Sequence, residues 1–146
     1  MKASLEIIEE IKQLKSRYCR CIDTKDWVEL EKTYTTDTRI DLGDEKALPE
    51  FQGAIVGIPA VIKSMSDALG DGCSIHICFL PEIELVSPDR ARGIWGLEYR
   101  TRQPKGSPIP TLHGFAFSHD EYERHDGRWL IKSVRLQTMW NDAVPS

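Results

Sequence analysis

Apolar residues at the start of the chain recur at intervals of three and four. Ile7, Ile11, Leu14, Tyr18 and Ile22 fall on one helical face, which predicts an amphipathic helix over 5–22. Glu9, Lys12, Lys15 and Ser16 are assigned to its polar side. Asp26-Trp27-Val28-Glu29 has the spacing of a capping box, an acidic N-cap with a glutamate three residues on, so a second helix begins there. Leu30 and Tyr34 continue its apolar side, and Thr35-Thr36-Asp37 ends it. Arg39-Ile40-Asp41-Leu42 alternates like a short strand, and the polar stretch 43–52 reads as a loop. Gly57-Ile58-Pro59 opens a third helix with proline in its first turn. Ile58, Val61, Ile62, Met65 and Leu69 carry that helix's period, and Gly70-Asp71-Gly72 stops it.

From Ser74 onward the period becomes two. Strands are expected over 74–80 and 82–87, then a turn at Pro88-Asp89-Arg90, then a strand over 91–102 with Trp95, Leu97 and Tyr99 on one side. A loop rich in proline occupies 103–110. A long strand over 112–124, a hairpin turn at His125-Asp126-Gly127 and a returning strand over 128–138 complete the pattern. Helices first and strands second indicate an α+β fold, with three N-terminal helices packed on one face of a curved antiparallel sheet. A strongly curved sheet covered in this way encloses a conical pocket, a natural site for a small molecule.

Composition narrows the function. The 146 residues fit one domain, 1–146, large enough to bury a core without metal or disulfide staples. The net charge of −4 disfavours nucleic acid as a partner. The acidic excess lies in the first half, where residues 1–73 hold 10 Lys/Arg against 14 Asp/Glu; residues 74–146 hold 9 of each. No apolar run approaches the ~18–20 residues needed to cross a bilayer, so no membrane partner is expected. The first residues turn acidic without an apolar stretch, unlike a signal peptide. Cys19, Cys21, Cys73 and Cys78 are read as reduced thiols of a cytoplasmic protein. Cys19 and Cys21 are two apart on a helix and point to different faces, and there is no Cys-x-x-Cys or His-x-x-x-His, so no metal site is expected.

The segment from Arg17 to Trp27 (RYCRCIDTKDW) resembles the first-helix signature of SnoaL-like proteins, members of the nuclear transport factor 2-like superfamily. The resemblance continues through Gly53 and Gly57, Ser74-Ile75-His76, the strand Ala91-Arg92-Gly93-Ile94-Trp95, and 122–131 (YERHDGRWLI). It implies the cone-shaped α+β barrel and no cofactor. The superfamily holds dehydratases, dehydrohalogenases, isomerases, epoxide hydrolases, cyclases and binding modules, so reaction type has to come from the site. The sequence is most similar to the branch of bile-acid 7α-dehydratase and hexachlorocyclohexane dehydrochlorinase. That similarity implies a catalytic pair of Asp23 and His76, with Tyr18 on the first helix and Arg135 on the last strand as further catalytic residues.

Each of these residues also has a plain structural role open to it. His76 is either a core histidine satisfied by backbone or a base near neutral pH. Asp23 is either a polar helix terminator or the partner that fixes the imidazole's tautomer; an acid at a helix C-terminus opposes the dipole and wants a partner. Tyr18 is either a core tyrosine or a donor to a substrate oxygen. Arg135 follows Trp129, Ile131 and Ser133 at period two, which places it on their face, paired either with Glu98 or Glu121 or with a substrate oxyanion. Trp95, Leu97, Tyr99, Phe115, Phe117, Met139 and Trp140 are candidate pocket lining, or simply core.

The expected function is acid–base chemistry without a cofactor on a small hydrophobic ring-containing molecule, as a dehydratase, another lyase or a double-bond isomerase. An aldol-type polyketide cyclase and a non-catalytic binding or dimerisation module are the alternatives. The sheet face left open by a one-sided helical layer leads us to expect a homodimer or higher homo-oligomer.

Overall fold

The computed structural model describes residues 2–43 and 53–144. Helix α1 (Leu5–Asp23) starts at Ser4, whose side chain accepts from the Ile7 N–H, and buries Ile11, Leu14, Tyr18 and Ile22. Helix α2 (Trp27–Glu31) begins at Asp26, whose carboxylate accepts from the Glu29 N–H. The capping box is half formed, because the Asp26 N–H donates to the Cys21 carbonyl and the Glu29 side chain takes Lys32. This helix is shorter than its pattern suggests. Tyr34, expected on the helix, opens strand β1 (Tyr34–Asp41), and the β-branched Thr35 and Thr36 sit inside that strand instead of ending a helix. Strand β2 (Ala54–Val56) and helix α3 (Ile58–Leu69) follow, with α3 entered at Gly57, φ +88°, and left at Gly70, φ +44°. Of the stretch 43–52 expected to be a loop, residues 44–52 lie outside the described residues.

The second half forms strands β3 (Cys73–Ser87), β4 (Arg90–Arg102), β5 (Thr111–His125) and β6 (Arg128–Val144). Asp126 and Gly127 both have positive φ, as a tight β5–β6 hairpin turn requires. The strand order is β2-β1-β6-β5-β4-β3, and the sheet stays open between β2 and β3. All neighbours are antiparallel except β1 and β6, which run parallel.

The strand pairing shifts register at five places, and three of them decide which side chains face the site. Strand β3 carries an extra residue between Phe79 and Glu82, so the two strands expected there are one strand with a bulge, and Leu80 adopts φ +44°. Strand β6 carries one extra residue at Lys132 and another at Met139, each set against an unbroken step on β5. Each bulge reverses which residues face inward. On β6, Trp129 and Ile131 are buried before the first bulge, and Val134 after it. The curvature leaves one concave face, against which α1 packs along β3 and α3 along β1. The main core lies between α1, α2, α3 and this face, including Ile11, Leu30, Ile40, Tyr122 and Ile131. A smaller cluster of Leu97, Tyr99, Leu112 and Ala116 lies toward the far end of β4 and β5. Among the described residues no helix is long and apolar enough to cross a membrane.

Candidate active site

The concave face holds a cavity of about 140 Å³ between α1, α3 and the sheet. Its lining is mostly apolar, with Tyr18, Ile22, Met65, Leu97, Tyr99 and Leu136 among the contributors. His76 and Ser74 reach it from β3, and Lys15 and Ser118 form a polar patch in its wall.

Asp23 is the last residue of α1, and the geometry of that helix end turns its carboxylate onto β3. It accepts from the Ser74 hydroxyl at 2.8 Å and the His76 backbone N–H at 2.9 Å, and its Oδ1 lies 2.6 Å from His76 Nδ1. A carboxylate only accepts, so this contact keeps the ring hydrogen on Nδ1 and leaves the lone pair on Nε2. The two side chains are about one-fifth exposed, 19% for Asp23 and 21% for His76, so the pair is accessible without being awash. The His76 ring stacks near Tyr99, with centroids 6.5 Å apart.

Tyr18 lies on the buried stripe of α1 and contributes to the cavity wall. Burial, followed by the charges of Cys19 and Asp120, pushes its phenol well above its ordinary range, so it remains a neutral hydroxyl at working pH. Its ring meets Tyr34 edge-on, with centroids 5.9 Å apart.

Lys15 was assigned to the polar side of α1; the structure buries it, at 2% exposure. Its Nζ donates to Asp120 Oδ2 at 2.7 Å and to Ser118 Oγ at 3.2 Å, and lies 4.8 Å above the Tyr18 ring. Asp120 also accepts from Ser118 at 2.6 Å and from the Tyr122 hydroxyl at 2.7 Å, and that hydroxyl accepts from Trp95 Nε1 at 3.0 Å. Burial pulls the ammonium's pKa down, but the Asp120 carboxylate and the nearby thiols outweigh it, so the net direction is upward and Lys15 is charged. The sequence did hold a signal for this residue. Lys15 stands four residues after Ile11 and four before Cys19, on the apolar stripe, where a buried lysine requires an acid.

The other candidate residues divide. Leu97 and Tyr99 line the cavity. Trp95 faces inward but is packed in the main core, tied to Tyr122. Phe115, Phe117, Met139 and Trp140 lie on the outer face of the sheet, away from His76. Phe115, Met139 and Trp140 bound a separate shallow hollow there, with the Phe115 and Trp140 rings edge-on at 5.0 Å. The inward positions of β5 are Leu112, Gly114, Ala116, Ser118, Asp120 and Tyr122, so Phe115 and Phe117 fall on the outward parity. Arg135 is also on the outer face, in an open depression with Arg39, Glu84 and Arg92. The extra residue at Lys132 breaks the period-two count from Trp129 and turns Arg135 away from the cavity. Neither suggested acid is its ion-pair partner; Glu98 is engaged by His113 at 3.0 Å and Arg100 at 3.6 Å. Among the described residues no group of three His, Cys, Asp or Glu is placed to hold a metal ion.

Comparison with known proteins places this geometry in context. A family profile described as a SnoaL-like domain matches residues 3–135. A type 2 hexachlorocyclohexane dehydrochlorinase, LinA, superposes with a TM-score of 0.81 at 19% identity, over 97% of this chain and 91% of that one. A scytalone dehydratase-like protein from Novosphingobium aromaticivorans superposes with a TM-score of 0.82 at 18% identity, over 97% and 90%. A type 3 LinA from Novosphingobium barchaimii gives 0.79 at 18%, over 96% and 91%. At these identities the likeness shows the fold.

Proposed function

The chain belongs to the SnoaL-like family, and from that premise we propose that it is a cofactor-independent lyase, a dehydratase acting on a small apolar ring compound through Asp23 and His76. The observation that carries the reading is the grip of Asp23 on His76, 2.6 Å from Nδ1 and 2.9 Å from the backbone N–H, beside an apolar cavity. With Nδ1 bound, Nε2 is the nitrogen that takes a proton from a substrate carbon, and the carboxylate stabilises the imidazolium that results. The electron pair of the broken C–H bond forms the new double bond, and the leaving hydroxyl departs with a proton as water. Tyr18 is a neutral phenol suited to donating to that oxygen. Lys15 supplies the positive charge on the cavity side that Arg135 was expected to supply. A proton returned to another carbon instead gives double-bond isomerisation with the same groups.

Cavity size bears on the substrate. A dry cavity of ~150 Å³ takes one benzene, and the 140 Å³ here favours a single ring over a fused steroid or a polyketide chain. The same argument weighs against the cyclase alternative. The test is a panel of cyclic β-hydroxy ketones, followed by absorbance of the conjugated product. With an active substrate in hand, His76→Ala and Asp23→Asn are each expected to lower kcat about 10²–10⁴-fold. Full activity in both variants would overturn the mechanism, and a panel with no turnover but saturable binding would favour a binding module.

A further inference from the structure

Beside the Asp23–His76 contact, a second link joins the same two elements. Cys19 lies one helical turn before Asp23 on α1, and Cys78 lies two residues after His76 on the same face of β3. Their sulfurs are 3.6 Å apart, both line the cavity, and neither is bonded to another cysteine. We propose that Cys19 and Cys78 are an oxidisable dithiol, converted to a disulfide by a small hydroperoxide that enters through the cavity. The proposal does not depend on the lyase reading.

The surroundings assign roles to the two sulfurs. Cys19 is the more deeply buried of the two, and the S–H···S bond between them, ahead of burial, holds its thiol above its ordinary range. The same bond lowers Cys78, against the opposing effect of burial, and the Lys15 charge lowers it further. Cys78 is the less buried of the two where they line the cavity, so it is the sulfur an entering peroxide reaches first and the nucleophile. Its thiolate attacks the peroxide, the O–O bond breaks, and a sulfenic acid forms at Cys78 while the other oxygen leaves as water or an alcohol. Cys19 then attacks the Cys78 sulfur; the S–S bond forms, the S–O bond breaks, and the departing hydroxide takes the Cys19 proton as water. Two thiols are oxidised and one peroxide is reduced. Reaching a disulfide length of about 2.05 Å requires the sulfurs to close by roughly 1.5 Å, a movement shared between a helix and the edge strand of the sheet.

The other cysteines serve as controls. Cys73 is exposed, and Cys21 is buried away from the cavity. The full chain is treated with hydrogen peroxide, quenched, denatured in excess N-ethylmaleimide and weighed intact, then digested without reductant. Expected are two fewer maleimide adducts, a further mass loss of about 2 Da for the two thiol hydrogens, and a Cys19–Cys78 crosslinked peptide that dithiothreitol removes. Cys73→Ser leaves the result unchanged. Cys19→Ser stops at a sulfenic acid on Cys78, trapped by dimedone; Cys78→Ser gives neither product. Four alkylated thiols in the treated wild type, or crosslinks that involve only Cys73 or two chains, would overturn the proposal. Serine variants of buried thiols are mild, and their folding is verified by circular dichroism before the oxidation is read.

Discussion

Lys15, Tyr18, Tyr34 and Tyr122 are protonated residues held out of water, and their protons are tied to folding. Burial first, and neighbouring charge second, pushes each of the three phenols well above the ordinary value of 10.0. Lys15 ends above its ordinary 10.5, because Asp120 and the thiols outweigh the effect of burial. All four pKa values are raised in the folded chain, so their contribution is fully present below pH 10 and is lost as pH rises beyond it. In that window the unfolded chain gives up protons that the folded chain keeps, and each group steepens the loss by about 1.4 kcal/mol per pH unit. Melting temperature followed from pH 8 to pH 11.5 should be level at first and then fall sharply. Tyr122→Phe should melt lower at pH 8, having lost its bonds with Asp120 and Trp95, yet decline less steeply above pH 10. An equal slope in both proteins would refute the assignment for Tyr122. Residues of this kind are hard to read from sequence, because a lysine on an apolar stripe makes sense only once Asp120, 105 positions away, is known to face it.

Strand β5 shows how much of an element is legible and where the reading turns over. Its length and its hairpin follow from alternation and from Asp126-Gly127. The direction of its side chains does not follow from hydrophobicity, because the middle of its inward face, Gly114, Ala116, Ser118 and Asp120, is small and polar. Gly114 explains one of them. A Cβ there would lie 2.2 Å from Tyr99 Cζ and 2.3 Å from its hydroxyl, so the ring of a cavity-lining residue rests on the glycine. Gly→Ala at an unstrained strand position would ordinarily stabilise by about 0.4–1 kcal/mol, whereas overpacking costs about 1–3 kcal/mol. Gly114→Ala is therefore expected to lower the urea midpoint, and a raised midpoint would show that Tyr99 has room to move. Helices α1 and α3 were legible almost to the residue, because a 3.6-residue period survives over many turns. Arg135 was misplaced because a period of two cannot survive a single extra residue.

Over the whole molecule, the helical layer covers only the concave side. The outer face exposes Ile75, Ile77, Phe79, Phe117, Met139 and Trp140, each between 41% and 59% exposed. An apolar surface of this extent is unusual on a monomer, and its spread over β3, β5 and β6 suits pairing with the same face of a second copy. Light scattering at micromolar concentration should give about twice the 16.6 kDa of one chain, and Ile77→Lys should shift it toward one. A single-chain mass for the wild type would exclude the dimer. Among the acids of the first half, Asp23 is the one bonded to His76. The bulge at Lys132 has a wider meaning for such a molecule. If the same residues ran through that point in unbroken alternation, 133–138 would turn over, bringing Arg135 and Gln137 to the inside and sending Val134 and Leu136 out. The cavity would gain a guanidinium without a single substitution. In a sheet of this kind the chemistry of the interior can be rewritten by a shift of register, with every amino acid left as it was.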